Sequence, residues 1–197
     1  MSRTSLISSA LVGVIVMSAC AEPPVASIDA ASQAQTAAVA AGAEEYAPAA
    51  MARVAEARAA LDAELAVQNE RMALRRSYDR AEELATALQT AGEEAATETA
   101  SAKEQVRVQA TDLIAMVRMQ ATEVGDLLAT APAAKGTSAD LAALRTDLET
   151  ANTSLMEAET ALLNQEFGSA HAKALAAQEL VTKVREAVDM ARGMRIG

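Results

Sequence analysis

Three runs of apolar residues, spaced alternately three and four apart, limit the folds open to this chain more than any other feature. Leu141, Leu144, Leu148, Ala151, Leu155, Ala158 and Leu162 make one run, and Phe167, Ala170, Ala174, Ala177, Val181, Val184, Val188 and Ala191 make a second. Val106, Ala110, Leu113, Val117, Val124 and Leu127 make a third, with Gln120 at one seam position. Such spacing gathers the apolar side chains on one stripe of an α-helix, the seam of a coiled coil or bundle. No strand signal competes with it. The expected fold is all-α: an elongated antiparallel helical bundle, or two stacked long helical hairpins.

Composition makes those helices slim. About a quarter of the 197 residues are alanine, there is no Trp, and the aromatic residues are Tyr46, Tyr78 and Phe167. Alanine has the best helix propensity and adds little buried area per residue. Close-packed helices are therefore favoured over a thick globular core, in one domain or two small ones. Helices are expected near 48–76, 79–128, 138–165 and 168–192. Pro48 suits a first helical turn, where its missing N–H is not needed. A turn is expected near Ser77-Tyr78-Asp79, and Gln165-Glu166-Phe167-Gly168 marks a reversal. Pro132 and Lys135-Gly136 break the chain before Thr137 or Ser138 caps the next helix, with Asp140 in its first turn. The second helix would be about 75 Å long if straight. Gly92 and Gly125 are candidate break points, and the nearly unfilled stretch 91–103 points to a kink or loosened packing.

Residues 1–20 have a secretory layout. Arg3 precedes an uncharged run, Leu6 to Ala19, which contains Leu11-Val12-Gly13-Val14-Ile15-Val16-Met17 and ends at Cys20. That run is shorter than the roughly 18–20 residues needed to span a bilayer. Met17-Ser18-Ala19-Cys20 resembles a bacterial lipobox, an aliphatic residue and two small ones before Cys, with Met17 where Leu is commoner. Cys20 is the sole cysteine, so no intramolecular disulfide can form. The resemblance implies cleavage between Ala19 and Cys20, a diacylglyceryl thioether on Cys20, and usually a third chain (a palmitate) on the new amino terminus. Several acyl chains at about 0.8 kcal/mol per buried CH2 make a stable anchor. Residue 21 is Ala and not the Asp that retains many such proteins in the inner membrane, so the resemblance points to the outer membrane, facing the periplasm.

The division expected is a signal peptide at 1–19, lipidated cysteine and flexible linker at 20–43, a first helical hairpin at 44–130 and a second at 131–197. The linker reading rests on Pro23-Pro24, scattered Ser, Gln and Thr, and little bulky apolar content. As a coil it would reach about 25 Å.

Tyr78-x-x-Ala81-x-x-x-Ala85-x-Ala87 aligns with Phe167-x-x-Ala170-x-x-x-Ala174-x-Ala176, an aromatic residue at the turn and small residues along the return helix. That is also the logic of tetratricopeptide-like hairpins. Glu45-Tyr46-Ala47-Pro48, and then Ser77-Tyr78-Asp79-Arg80-Ala81-x-x-Leu84-Ala85, resemble a domain-of-unknown-function family of alanine-rich helical hairpins in bacterial envelope lipoproteins. The resemblance covers about residues 43–100. Some members are joined to an OmpA-like peptidoglycan-binding domain, which has no counterpart here, and the family has no established catalytic residues to carry over.

The formal charge of -10 becomes -11 after cleavage, since Arg3 is the only charged residue removed. A net acidic body has no electrostatic case for nucleic acid, and none for broad contact with an anionic membrane. Arg71, Arg75, Arg76 and Arg80 are a local exception. They are read either as ion pairs with Glu70, Glu82 and Glu83, or as a contact to an anionic headgroup or wall polymer. Met116 and Met119 lie just off the third stripe, and mark either a helix buried on two sides or a partner surface.

No arrangement suggests catalysis, a cofactor or a metal. His171 is a single His without metal-site partners. Glu82-Glu83 and Glu93-Glu94 are sequence neighbours that do not face each other on a helix. Lys135-Gly136-Thr137 lacks the glycine and strand of a phosphate loop. The expected function is a non-catalytic structural or adaptor lipoprotein of the cell envelope, held by its lipid anchor. It would present helical faces to a protein partner or to copies of itself, with no small-molecule substrate. The alternative is a tetratricopeptide-like peptide-binding, assembly or trafficking accessory factor.

Overall fold

The computed structural model describes residues 22–130 and 138–193, and among these the chain is all-α. The helices are α1 (Val25–Ala41), α2 (Ala43–Tyr46), α3 (Pro48–Glu70), α4 (Asp79–Ala129), α5 (Ser138–Leu163) and α6 (Phe167–Gly193), with one 3-10 turn at Ala73–Arg75. α4 has 51 residues, about 77 Å at 1.5 Å per residue. It is continuous, so neither Gly92 nor Gly125 breaks it.

The other long helices lie along α4 in two groups. Ala34 of α1 touches Gly92, and Gly42 at the end of α1 lies beside Lys103, so α1 runs parallel to α4. α3 runs antiparallel, with Arg53 paired to Glu98 at 2.5 Å and its far end joined to the start of α4. Along the other half of α4, α5 returns antiparallel and α6 runs parallel. Arg185 pairs with Glu123, and Arg192 donates to the Leu127 carbonyl at 3.1 Å. The result is two up-down-up bundles placed end to end, each counting α4 as one of its three long helices.

Each bundle has its own core. The first is nearly all small: Ala31, Ala38, Ala50, Ala81, Ala85 and Ala95 are buried with Val54, Leu61, Leu88 and Tyr78. The second is built of larger groups, Ile114, Val117, Val124 and Leu128 from α4, Leu141 and Leu155 from α5, and Val181, Val184 and Val188 from α6. Ala110, Ala161 and Ala170 close it toward the middle of the rod.

Three expectations need correction. Residues 25–41 are not a linker but a helix, because small side chains at Ala31 and Ala38 let it settle closely on α4. The cores do not divide at 130/131; the division falls within α4, between Thr99 and Ala110, so the units are not successive hairpins. The first part of the stretch 91–103 is closely packed and not loosened, with Gly92, Ala95 and Thr99 buried, while 100–103 carry no buried side chain. A Cβ on Gly92 would lie 2.8 Å from the Ala34 carbonyl carbon and 2.9 Å from its Cβ, so Gly92 is the notch that receives α1.

α5 ends at a residue of the wrong type for its conformation. Gln165 has φ 64°, the left-handed region favoured by Gly, and is held there by two hydrogen bonds. The Gln165 N–H donates to the Leu162 carbonyl at 3.1 Å and the Glu166 N–H to the Ala161 carbonyl at 2.9 Å. Replacing Gln165 with Gly is expected to raise stability by about 1 kcal/mol. A rise in the urea midpoint would show it, and an unchanged midpoint would count against the strain.

Gly92 and Gly125 provide a test with opposite signs. Gly-to-Ala in a helix interior normally gains about 0.5–1 kcal/mol. Gly125→Ala should show that gain, since its Cβ would meet Leu148 Cδ2 at an ordinary 3.6 Å. Gly92→Ala should instead cost about 1–3 kcal/mol by forcing α1 away from α4. Urea unfolding of both variants measures the difference.

Candidate functional site

The connection from α3 to α4, Arg71–Tyr78, is the part of the surface least explained by packing. The α3 stripe, Ala50, Val54, Leu61 and Gln68, would extend in register to Met72, yet the helix ends at Glu70. Side chains impose that end. Gln68 is buried, and its Oε1 accepts from the Ser77 N–H at 3.1 Å and from Arg71 at 3.4 Å, while its Nε2 donates to Glu64 at 2.6 Å. Arg76 donates to the carbonyls of Arg71 and Asn69 at 3.1 and 3.2 Å, taking up acceptors that the last helical turn leaves unpaired. Ser77 Oγ donates to Asp79 at 3.0 Å, and Tyr78 is buried against the first core.

This clamp pushes the turn outward. Met72 is 67% and Leu74 87% exposed, between exposed Arg71 and Arg75. Arg71, Met72 and Arg75 rim an open recess of about 380 Å3. The turn contains three arginines and no carboxylate, although Glu70 and Asp79 bound it.

The expected ion pairing of the arginine cluster holds only for Arg80, which meets Glu83 at 2.8 Å. Arg71 and Arg76 hold the turn, and among the described residues the Arg75 guanidinium meets no carboxylate within salt-bridge distance. The clamp and the exposed pair Met72 and Leu74 were missed in the sequence, where both residues fell inside a helix expected to reach 76. The one available signal was Arg71, Arg75 and Arg76 following one another with no acidic residue between them.

Met116 and Met119 are exposed on α4. They lie beyond the arginine turn by about 55 Å along the helix, so the two expected partner surfaces are separate places. Arg118 between them is paired with Glu159 of α5. His171 is half-buried on α6, and among the described residues no three His, Cys, Asp or Glu side chains converge as metal ligands. Glu82, Glu83, Glu93 and Glu94 are all exposed along α4. Ala19, Cys20 and Lys135-Gly136-Thr137 lie outside the described residues. Among the described residues no helix is long and apolar enough to cross a membrane.

A second polar cluster sits where the two bundles meet. The Tyr46 hydroxyl accepts from the Gly168 N–H at 3.4 Å, and Lys103 Nζ lies 5.3 Å from the Tyr46 ring centroid, a cation–π distance. Partial burial, and then the Glu45 carboxylate, push the Tyr46 phenol above its ordinary pKa, against the opposing Gly168 N–H. The neutral phenol is thus the form the fold prefers. Its contribution is present below the ordinary phenol pKa and is lost only as pH rises through the raised one.

If Gln68 sets the turn, Gln68→Leu should preserve packing but lose the bond to the Ser77 N–H. About 1 kcal/mol of stability should go, with faster amide exchange confined to 71–78. Unchanged exchange there would show that Arg76 suffices.

No protein-family model, curated protein or solved structure matches this chain, so its function has to be argued from its own residues.

Proposed function

We propose that this chain is a non-catalytic lipoprotein of the bacterial cell envelope, anchored through acylated Cys20 in the outer membrane, with its helical body a rigid spacer or adaptor in the periplasm. The observation that carries this reading is α4, one uninterrupted helix that supports two cores end to end. A rod of this build holds its ends a set distance apart, a mechanical property suited to a structural part. The start of the body adds support. Val25 already begins α1, and Cys20 lies five residues earlier, at most about 18 Å along a fully extended chain. An anchor that close would restrict how far the body can wander from the lipid.

The peptide-binding alternative draws less support. Tetratricopeptide-like units form a concave face by stacking hairpins side by side. Here the bundles meet end to end, and the cleft between α5 and α6 beside Thr153, Met156 and Lys173 is open, at about 340 Å3.

Fractionation of wild-type and Cys20→Ala protein, with the mass of the mature N-terminus, tests the proposal. Acylated wild type in the outer membrane and a mutant released from it is the expected result. A soluble wild type with an unmodified thiol would remove the anchor and with it the envelope reading.

A further inference from the structure

Register places the arginine turn and the start of α1 together. α1 runs parallel to α4, with Ala34 at the level of Gly92, so Val25, nine residues earlier, stands level with Glu83. That is within about 6 Å, at 1.5 Å per residue, of the start of α4 and the end of the Arg71–Tyr78 turn. Val25 is itself 60% exposed. One tip of the rod therefore displays Val25, Met72 and Leu74 with the guanidiniums of Arg71 and Arg75, and Cys20 precedes that same tip by five residues.

We propose that this tip is a lipid-docking site: Met72 and Leu74 enter the headgroup and upper acyl region of an anionic phospholipid bilayer, Arg71 and Arg75 bind its phosphates, and the rod stands end-on. The identity of the membrane rests on the reading of Cys20 as a lipid anchor. The physical case for the contact stands apart from it. Two large apolar side chains held out in water by a turn that packing could have ended sooner lose little on entering lipid and gain burial. Arginine suits the headgroup layer because its planar fork bonds phosphate bidentately while its stem covers apolar surface. Charge selects the end. The turn carries three positive charges and no acidic residue, Arg80 beyond it is neutralised by Glu83, and a body with net charge -11 after cleavage is repelled from the same surface along its length. Glu22, Glu70, Asp79 and Glu82 flank the tip, and they limit the attraction to the turn itself.

The absence of tryptophan makes a direct test available. The full chain is prepared as Leu74→Trp and, as control, Leu163→Trp, since Leu163 is 84% exposed at the α5–α6 turn near the middle of the rod. Each is reconstituted in vesicles of phosphatidylethanolamine and phosphatidylglycerol, with part of the lipid brominated in its acyl chains, and the mass of the N-terminus is read on the same sample. Quenching at residue 74 and not at 163, stronger with phosphatidylglycerol than in zwitterionic vesicles, is expected. Arg71→Gln and Arg75→Gln should each reduce the docked-to-undocked ratio roughly fivefold, with helical content unchanged. Acylated protein with no quenching at 74, or equal quenching at 74 and 163, would overturn end-on docking and leave the anchor reading intact. Equal quenching with and without anionic lipid would overturn the role given to the arginines. If the N-terminus proves unacylated the anchor reading fails, and the same Leu74→Trp chain added to vesicles decides the docking: quenching sustains it, and none overturns it.

Discussion

Every other long helix of this protein buries its apolar stripe against α4, so the two cores depend on that one helix remaining continuous. Its weakest stretch is the middle. Between Thr99 and Ala110 no side chain of α4 is fully buried, and packing does little to keep this segment helical. Local chemistry does more. Ser101-Ala102-Lys103-Glu104-Gln105-Val106-Arg107 is mostly strong helix formers, and Arg107 meets Glu104 at 2.6 Å one turn away. Tyr46, Lys103 and Gly168 then bring α2 and the start of α6 together across the joint.

The two bundles reach stability by different means. The second follows the ordinary rule, with Leu, Ile and Val burying large apolar area at about 1.5–3 kcal/mol for each side chain. The first has few such residues, and its alanines offer less area apiece. It compensates by proximity: with Gly92 receiving Ala34, backbone meets backbone and dispersion contacts accumulate along the whole length of α1. Such an interface has little tolerance, since a single added methyl group has nowhere to go, whereas a leucine core can shift rotamers.

Ion pairs between helices flank the seams: Arg53 with Glu98, Arg118 with Glu159, Lys173 with Glu157, Lys183 with Asp147 and Arg185 with Glu123. Exposed pairs of this kind add at most about 1 kcal/mol each. Their larger effect is on register, because a helix slipped by one turn would bring several of them out of reach together.

How much could be read before folding follows from what carries each signal. The stripes of α5 and α6 were legible because large residues at spacings of three and four admit one interpretation. Only the exact face shifted on α4, where Ile114, Ala121 and Leu128 join Val117 and Val124 in burial because two helices, not one, lie against it. α1 was illegible for the converse reason: alanine looks alike in a linker and in a tight interface, and the partner that decides between them, Gly92, is far away in sequence. The end of α3 was illegible because no Gly or Pro marks it. A buried glutamine and an arginine fold back on the helix terminus instead, and the exposed Met72 and Leu74 at the candidate docking tip are the product of that local clamp.

Local sequence alone determined that the described chain is helical, where the reversal between its last two helices falls, and which faces of those helices turn inward, because propensity and periodicity act over a few residues and need no partner. It also carries Met17-Ser18-Ala19-Cys20, whose resemblance to a lipobox is a matter for a processing enzyme and not for the fold. Only the tertiary structure decided that residues 25–41 join the body, that one helix serves two cores, and that the arginine turn lies at the same end as the start of α1. Those outcomes depend on small surfaces meeting at short range, and the contact that makes an alanine stripe an interface exists only once the chain has folded.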